Sequence, residues 1–359
     1  MKAVLLGAEH NPELVALSRM PLGGTPSLSY RREPDYFAGL RPAGEGLEVV
    51  GVYDGDVLTG ACARTWKQLW VDGCVTRVGY LGGLRLTPEY QGRMYLAAGY
   101  RLLREIDKDT PGCLYLCTFL GQGGNSLRIM TRPRRGPLRF HSWGVHRTYC
   151  LLAPRHSSGV RFPAVHRARR EEVPGLLEFL NEEGRKKQFH PVLEARDFTD
   201  GSLCSLNGSP WYLWAPGGTI RAAAAVWDQT PCRQVVVESY PRSVRLARPL
   251  LSGCLHLLGR QGLPNEGEQL ELRYLAFATA KDNDPSALAR VVRAALADLG
   301  GTGAHVLSIG FADADPLRDS LRGLARARYE SCVFLAHWAG EEPPLPDRGR
   351  IPCMEVATL

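Results

Sequence analysis

Apolar residues recur along this chain at two spacings, one of period two and one near 3.6, and their order predicts its elements. The clearest run is Val78 to Leu86 (VGYLGGLRL), rich in β-branched, aromatic and leucine side chains, which reads as a buried strand. Its Gly82-Gly83 pair marks an irregularity, because glycine inside a strand signals a bulge or a close backbone approach. Thr87-Pro88 ends the strand, since proline offers no amide to a ladder. Tyr95, Ala98, Leu102 and Ile106 then fall at helical spacing, with Arg101, Arg104 and Glu105 on the opposite side. The polar turn Glu89-Tyr90-Gln91-Gly92-Arg93 opens directly onto that helix, whose unpaired amides and positive dipole end suit a phosphate.

Upstream, Leu47 to Val52 and Val57 to Trp66 read as a hairpin about Asp54-Gly55-Asp56, and Asp72-Gly73 turns the chain into the central strand. Asn11 and Pro12 have the pattern of an N-cap and a first helical residue. Gly23 to Ser27 breaks that helix, and Pro34 to Phe37 suggests a further helical turn. Downstream, Cys113 to Phe119 is an apolar strand; Leu138 to Trp143 and Val145 to Leu152 have the form of a closing hairpin.

After the polar connector Pro154 to Gly159 the pattern starts again. Val160 to Val165 opens as a strand and Glu171 to Arg185 as a helix. Pro210 to Trp214, Thr219 to Trp227 and Gln234 to Tyr240 read as strands, and Pro249 to Leu258 as an apolar helix. Leu270 to Ala278, Pro285 to Leu299 and His305 to Phe311 then repeat the strand–helix–strand order of the first half, a weak internal duplication. The expected division is 1–155, 156–340, and an extended proline- and glycine-rich tail over 341–359.

Strand, then Leu84-Arg85-Leu86-Thr87-Pro88-Glu89-Tyr90-Gln91-Gly92-Arg93, then helix resembles the acyl-CoA-binding motif of the GNAT N-acyltransferase superfamily. In that family the strand exposes amides to pantetheine and the turn wraps the pyrophosphate with Gln/Arg-x-x-Gly-x-Gly/Ala. Gln91 holds the first position here; Met94 and Leu96 stand where the two glycines would be. The resemblance implies an α/β fold of two tandem GNAT-like acyl-CoA N-acyltransferase units, with mixed, mostly antiparallel sheets flanked by helices. It implies a cofactor seat on Leu84, Arg85 and Leu86 of the strand, and on Gln91, Gly92, Arg93, Met94, Tyr95 and Leu96 of the turn. Asn125, after Gly121-Gln122-Gly123-Gly124, resembles the family's second landmark, an asparagine that contacts the pantetheine arm and starts a helix. In the second unit, Asp282 and Asp284 suit a helix start but would repel a pyrophosphate, so that unit reads as degenerate.

Family members commonly protonate the departing thiolate with a tyrosine from the helix after that asparagine. None lies between Asn125 and Tyr149, which leaves the acid unassigned. Tyr80, on the motif strand and suited to a water relay, and Tyr149 are the catalytic candidates. Glu48, His141 and His146 are further titratable groups on flanking strands, each equally at home as a packed or hydrogen-bonded sheet residue.

The 359 residues exceed one typical compact domain, and 44% hydrophobic with 23% charged content is that of a soluble globular protein. No run reaches membrane-spanning length, and Ala3 to Leu6 is too short for a signal-peptide core. The ten cysteines form no CxxC pair and offer no metal set, which points to a cytoplasmic protein without disulfides or a metal. A net charge of +7 suits a polyanionic coenzyme and is too diffuse to argue for nucleic acid.

The expectation is an N-acyltransferase, in its simplest form an N-acetyltransferase. Acetyl-CoA or another acyl-CoA would be co-substrate and a small-molecule or amino-acid-like amine the acceptor, with direct attack in a ternary complex. The rivals are a ligand-binding regulatory protein that has lost catalysis, and an aminoacyl transferase fed by charged tRNA, the latter kept open by the basic run Arg132 to Arg139. Acceptor, chain length and oligomeric state are not encoded in these patterns.

Overall fold

The computed structural model describes residues 2–90, 95–110, 112–121, 137–157, 159–160 and 162–359; Gln91, Gly92, Arg93, Met94 and Asn125 lie outside them. The first half runs β1 (Lys2–Leu6), α1 (Asn11–Ser18), β2 (Ser27–Arg31), α2 (Tyr36–Leu40), β3 (Glu45–Asp54), β4 (Val57–Val71) and β5 (Cys74–Leu86). It continues through α3 (Tyr95–Ile106), β6 (Tyr115–Leu120) and β7 (Leu138–Leu152). The second half begins β8 (Val165–Arg167), α4 (Val173–Gly184), β9 (His190–Pro191), β10 (Trp211–Trp214), β11 (Ala222–Trp227) and β12 (Gln234–Ser239). Then come α5 (Arg242–Leu257), β13 (Leu272–Ala280), α6 (Pro285–Asp298), β14 (Val306–Ala312) and β15 (Arg326–Trp338).

Among the described residues, thirteen strands form one sheet in the order β1-β3-β4-β5-β6-β15-β7-β14-β13-β11-β10-β8, with β9 on β4. The two halves therefore share a sheet by exchanging strands. β15 enters the first half between β6 and β7, and β7 pairs with β14 of the second. Each half contains one parallel pair bridged by a helix, β5/β6 around α3 and β13/β14 around α6. Asp72-Gly73 turns β4 into β5 with both residues at positive φ (52° and 79°), the type I′ geometry that fits a twisted hairpin. Helices cover both faces: Leu14, Leu17, Tyr36 and Leu40 of α1 and α2 pack on Ala61 and Ala63 of β4, and Ala98 of α3 packs on Val52 of β3.

Several expectations change. Leu138 to Leu152 is one strand, because Gly144 (φ 122°) absorbs a bulge beside Trp143 and β15 pairs along its whole length. Asn11 does not cap α1; its side chain accepts from Tyr36 N (2.8 Å) and donates to Pro34 O (3.1 Å), tying α1 to α2. Helix α5 begins at Arg242 and runs through Pro249. β12 leaves the main sheet to pair with β2, which follows the break at Gly23 to Ser27 and carries no strand in the sequence reading. The tail does cross the surface, with Arg348 donating to Ser142 O and Arg350 to Arg185 O (both 2.9 Å). Its last residues turn inward, burying Met354, Val356 and Ala357.

The exchange is fixed by a buried polar cluster on Asp107, at the end of α3. Its carboxylate accepts from Trp338 Nε1 of β15 (2.7 Å), from the Tyr115 hydroxyl of β6 and from Arg64 of β4. Arg64 also reaches Glu48 of β3 (2.6 Å). Removing one member of such a buried set strands the others in a low dielectric, at a cost of about 3–5 kcal/mol. Asp107→Ala should lose that much in urea unfolding, whereas Glu48→Ala, whose carboxylate is partly solvated, should lose clearly less.

Candidate functional site

The sheet opens where its two halves meet. β5 and β6 pair in parallel over three residues only, Gly79↔Tyr115, Tyr80↔Leu116 and Leu81↔Cys117. Beyond Leu81 each strand stays bonded on its other side, β5 to β4 as far as Leu86 and β6 to β15 as far as Leu120, so a wedge separates them. A bulge in β5 makes the departure possible. Its register against β4 shifts between Ala61 and Ala63, and Gly83 takes φ 65°, a conformation that L side chains resist. A Cβ on Gly82 would lie 2.5 Å from the Tyr80 ring, so glycine is required there as well.

A cavity of about 1240 Å³ passes through this wedge. On the α3 face it is apolar, walled by Val50 and Val52 of β3, Leu86 of β5, and Leu96, Tyr100 and Leu103 of α3. On the α1/α2 face it widens into a chamber of different character, walled by Tyr30, Arg32, Arg85, Arg233, Tyr274 and Tyr329. The terminal segment closes this chamber with Val356 and Leu359; Arg233 donates to Ala357 O (2.9 Å) and to Leu359 O. Backbone groups on the free edge of β5 that face away from β4 look into the wedge.

Tyr80 lies where the cavity crosses the sheet and shares a hydrogen bond with Thr118 Oγ1 of β6 (3.1 Å). Burial pushes its phenol above the usual range, so at neutral pH it holds its proton and is no base. Burial also pushes the Cys62 thiol up to about 12 and raises that of Cys117, so neither cavity cysteine supplies a thiolate. Among the described residues, the lining contains no aspartate, glutamate, histidine or lysine.

The expected seat is brought together in part. Leu84, Arg85, Leu86 and Leu96 all border the cavity, and Tyr95 opens α3 at its edge; Gln91, Gly92, Arg93, Met94 and Asn125 fall outside the described residues. Arg85 and Leu86 point to opposite faces, as neighbours on a strand must. Tyr149 is not among the lining residues: it is buried in the core that packs around α6, beneath Arg326. Glu48 pairs with Arg64, His141 stacks on His337 (5.1 Å between centroids) and His146 is buried beside Gly310, so none of the three faces the cavity. Sequence reasoning missed Tyr30, Arg32, Arg233 and Tyr274, which reach the chamber from β2, β12's approach and β13. Only their long-range pairing unites them.

Two groups below the chamber hold unusual protonation states. Lys67 donates to Thr358 O (2.7 Å) and lies over the Tyr80 ring (4.8 Å), and burial pulls its ammonium down to about 7. Glu355 accepts from Phe277 N (2.6 Å) and Ala357 N (3.0 Å); burial outweighs both bonds and pushes its carboxyl up to about 7.

Solved structures with the same fold span the whole chain. Saccharomyces cerevisiae N-myristoyltransferase with bound myristoyl-CoA aligns at a TM-score of 0.58 and 10% identity, covering 93% of this chain and 82% of that one. The same enzyme with myristoyl-CoA and inhibitors aligns at 0.51 and 10%, covering 95% and 89%. A GCN5-related N-acetyltransferase from Anabaena variabilis ATCC 29413 aligns at 0.48 and 12%, covering 93% and 72%. No family model matches the sequence, and no curated protein does. The fold is the mixed α/β GNAT fold, in the arrangement it shares with N-myristoyltransferase.

Glu355 gives a pH test. Between 4.5 and about 7 the folded chain keeps a proton on Glu355 that the unfolded chain releases, so its contribution to stability falls as pH rises through that window. Urea midpoints at pH 5 and 7.5 should show a shallower decline for Glu355→Gln than for the natural chain. Equal declines would mean that Glu355 is ionised when folded.

Proposed function

We propose that this chain is an acyl-CoA-dependent N-acyltransferase that moves an acetyl or longer acyl group to the amine of a small molecule by direct attack in a ternary complex. The observation that carries the reading is the wedge between β5 and β6 at the glycine bulge, with a cavity running through it from one face of the sheet to the other. The pantetheine arm would lie along the edge of β5 that faces away from β4, at Leu84 and Arg85, entering from the α3 face. Its diphosphate would rest near the N-terminus of α3, in the turn that carries Gln91 to Met94. The thioester carbonyl would then sit at the bulge, where a backbone amide of β5 can hold the oxyanion that forms as the amine attacks. The acceptor would come from the α1/α2 face, through the tyrosine- and arginine-lined chamber.

Direct transfer follows from the cysteines. An acyl-enzyme on cysteine needs a thiolate, and burial keeps Cys62 and Cys117 protonated at neutral pH. Attack of the neutral amine forms the N–C bond. Collapse of the tetrahedral intermediate then breaks the C–S bond, and the proton lost from the nitrogen is balanced by the one the thiolate takes up as coenzyme A leaves as the thiol. Tyr80 serves as a proton-bearing hydrogen-bond donor beside the reacting carbonyl. The deprotonation of the amine runs through water in the chamber, since no carboxylate or imidazole side chain lines it among the described residues.

Isothermal titration with coenzyme A tests the reading. Binding in the micromolar to low-millimolar range should weaken at least about tenfold in Gly83→Val, which puts a β-branched residue at positive φ in the bulge, a strain of about 1–3 kcal/mol. Absence of binding, with Gln91→Ala making no difference, would reject it. Intact-mass spectrometry of the chain with acetyl-CoA alone should show no acyl adduct; an adduct on Cys62 would replace the ternary scheme by a covalent one.

A further inference from the structure

Five arginines line the cavity: Arg31, Arg32, Arg64, Arg85 and Arg233. Three of them have their charge or donors engaged. Arg31 pairs with Glu238 (2.9 Å), Arg64 with Glu48 and Asp107, and Arg233 donates to Gln229 Oε1 and Ala357 O (2.9 Å each). Arg32 and Arg85 have no carboxylate partner among the described residues, although each is only 8% exposed. Arg32 leans on the Tyr36 ring (5.1 Å), and its Nε is buried without a hydrogen-bond partner; so is the Tyr36 hydroxyl. A Cβ placed on Gly83 would lie 3.6 Å from Arg32 Nη2 and 3.7 Å from that hydroxyl, so both border the bulge.

Such an arrangement is costly in an empty protein. A buried guanidinium loses its hydration and regains nothing without a partner, and a second one nearby adds repulsion. Burial and Arg32 together lower Arg85 only to about 10, which leaves it charged at neutral pH, and burial lowers Arg32 as well. Two forked cations that no aspartate or glutamate among the described residues pairs describe a receptor for a planar oxyanion. The coenzyme's diphosphate does not meet this need. Arg32, Tyr36 and Arg85 lie on the α1/α2 face, across the sheet from α3 and its N-terminus.

We infer that Arg32 and Arg85 bind a carboxylate carried by one of the two substrates, seated beside the β5 bulge. The carboxylate belongs either to the acceptor, which is then an amino acid or another amino-carboxylate, or to the far end of a dicarboxylic acyl group. The inference rests on the acyltransferase reading for what the carboxylate is attached to, and on the arginines alone for the carboxylate itself.

Calorimetry and thermal unfolding of the full chain separate the cases, with glycine, β-alanine and γ-aminobutyrate set against their amides, and succinyl-CoA set against acetyl-CoA. The expected result is at least about tenfold tighter binding of the carboxylate member in one of these arms. Preference among the amino acids assigns the carboxylate to the acceptor; preference for succinyl-CoA alone assigns it to the acyl group. Arg85→Met and Arg32→Gln should both abolish the preference. Arg85→Met should also leave the ligand-free chain as stable as before or more so, because it removes an unpaired buried charge. No preference in any arm, or a preference that survives both variants, would overturn the inference. Coenzyme A binding without carboxylate preference defeats this proposal alone; carboxylate preference without coenzyme A binding defeats the acyltransferase reading and leaves the receptor.

Discussion

Strand β15 holds β6 away from β5, and this constraint governs the rest of the molecule. A parallel pair bridged by a helix would ordinarily zip along its length. Here β6 is bonded to a strand from the other half of the chain, and the Asp107 cluster pins both to β4 and α3. Once β6 is fixed from that side, the bulge at Gly82-Gly83 can turn the end of β5 outward without the sheet closing behind it. The wedge is thus paid for by a polar cluster whose members come from both halves, Arg64 and Tyr115 on one side and Trp338 on the other. An isolated first half would lack β15, and with it the wall that keeps the cavity open.

The second half shows what happens when the same geometry is filled. β13 also departs from its neighbour's register, between Ala223 and Ala225 of β11, and it too has a residue at positive φ, Phe277 at 53°. In place of glycine there is a large side chain, buried against Trp211 (5.9 Å between centroids). The amide of Phe277 is occupied by the Glu355 carboxyl, where in the first half the corresponding edge faces a cavity. The helix start is taken as well: Asp284 caps α6 through Ser286 N (2.8 Å), and Asp282 pairs with Lys186 (3.0 Å). The wedge at β5 therefore opens on a cavity, whereas the matching bulge in β13 is filled by the chain itself, and packing balances the strain of a phenylalanine at positive φ.

The parts of this design set by local chemistry were readable in the sequence. The Asp-Gly turns, the Val78–Leu86 strand with its glycine pair, α3 and the repeat all follow from propensity and periodicity over short stretches. What escaped depends on partners far away in the chain. β15 carries arginines, a glutamate and a serine in its first half (RARYES), so its pattern is not that of a buried strand, yet it sits at the centre of the sheet. Leu138 to Leu152 was read as a hairpin because Gly144 looks like a turn, and only the thirteen residues of β15 beside it make it a bulge. The chamber shows the same limit. Arg85 was legible as part of a motif on β5, whereas Arg32, Arg233 and Tyr274 come from segments with no local mark of function.

The absence of an acidic or imidazole side chain from the described lining becomes intelligible once the chamber's charge is considered. An amine can attack only as the neutral form, and in water an alkylamine is almost wholly an ammonium ion. Entry into a water-poor chamber disfavours the charged form, and neighbouring positive charge disfavours it further; both lower the amine's pKa. With Arg32 and Arg85 unpaired and Arg233 close by, one substrate carboxylate would leave the surroundings net positive, so the same cations that hold the substrate would also discharge its ammonium. The proton then needs a path to solvent more than a strong base to receive it. A carboxylate or imidazole in the lining would work against this, by pairing with the arginines or by stabilising the ammonium. The tyrosines fit instead, because burial keeps Tyr80 and Tyr274 protonated, so neither adds a negative charge that would pair with the arginines.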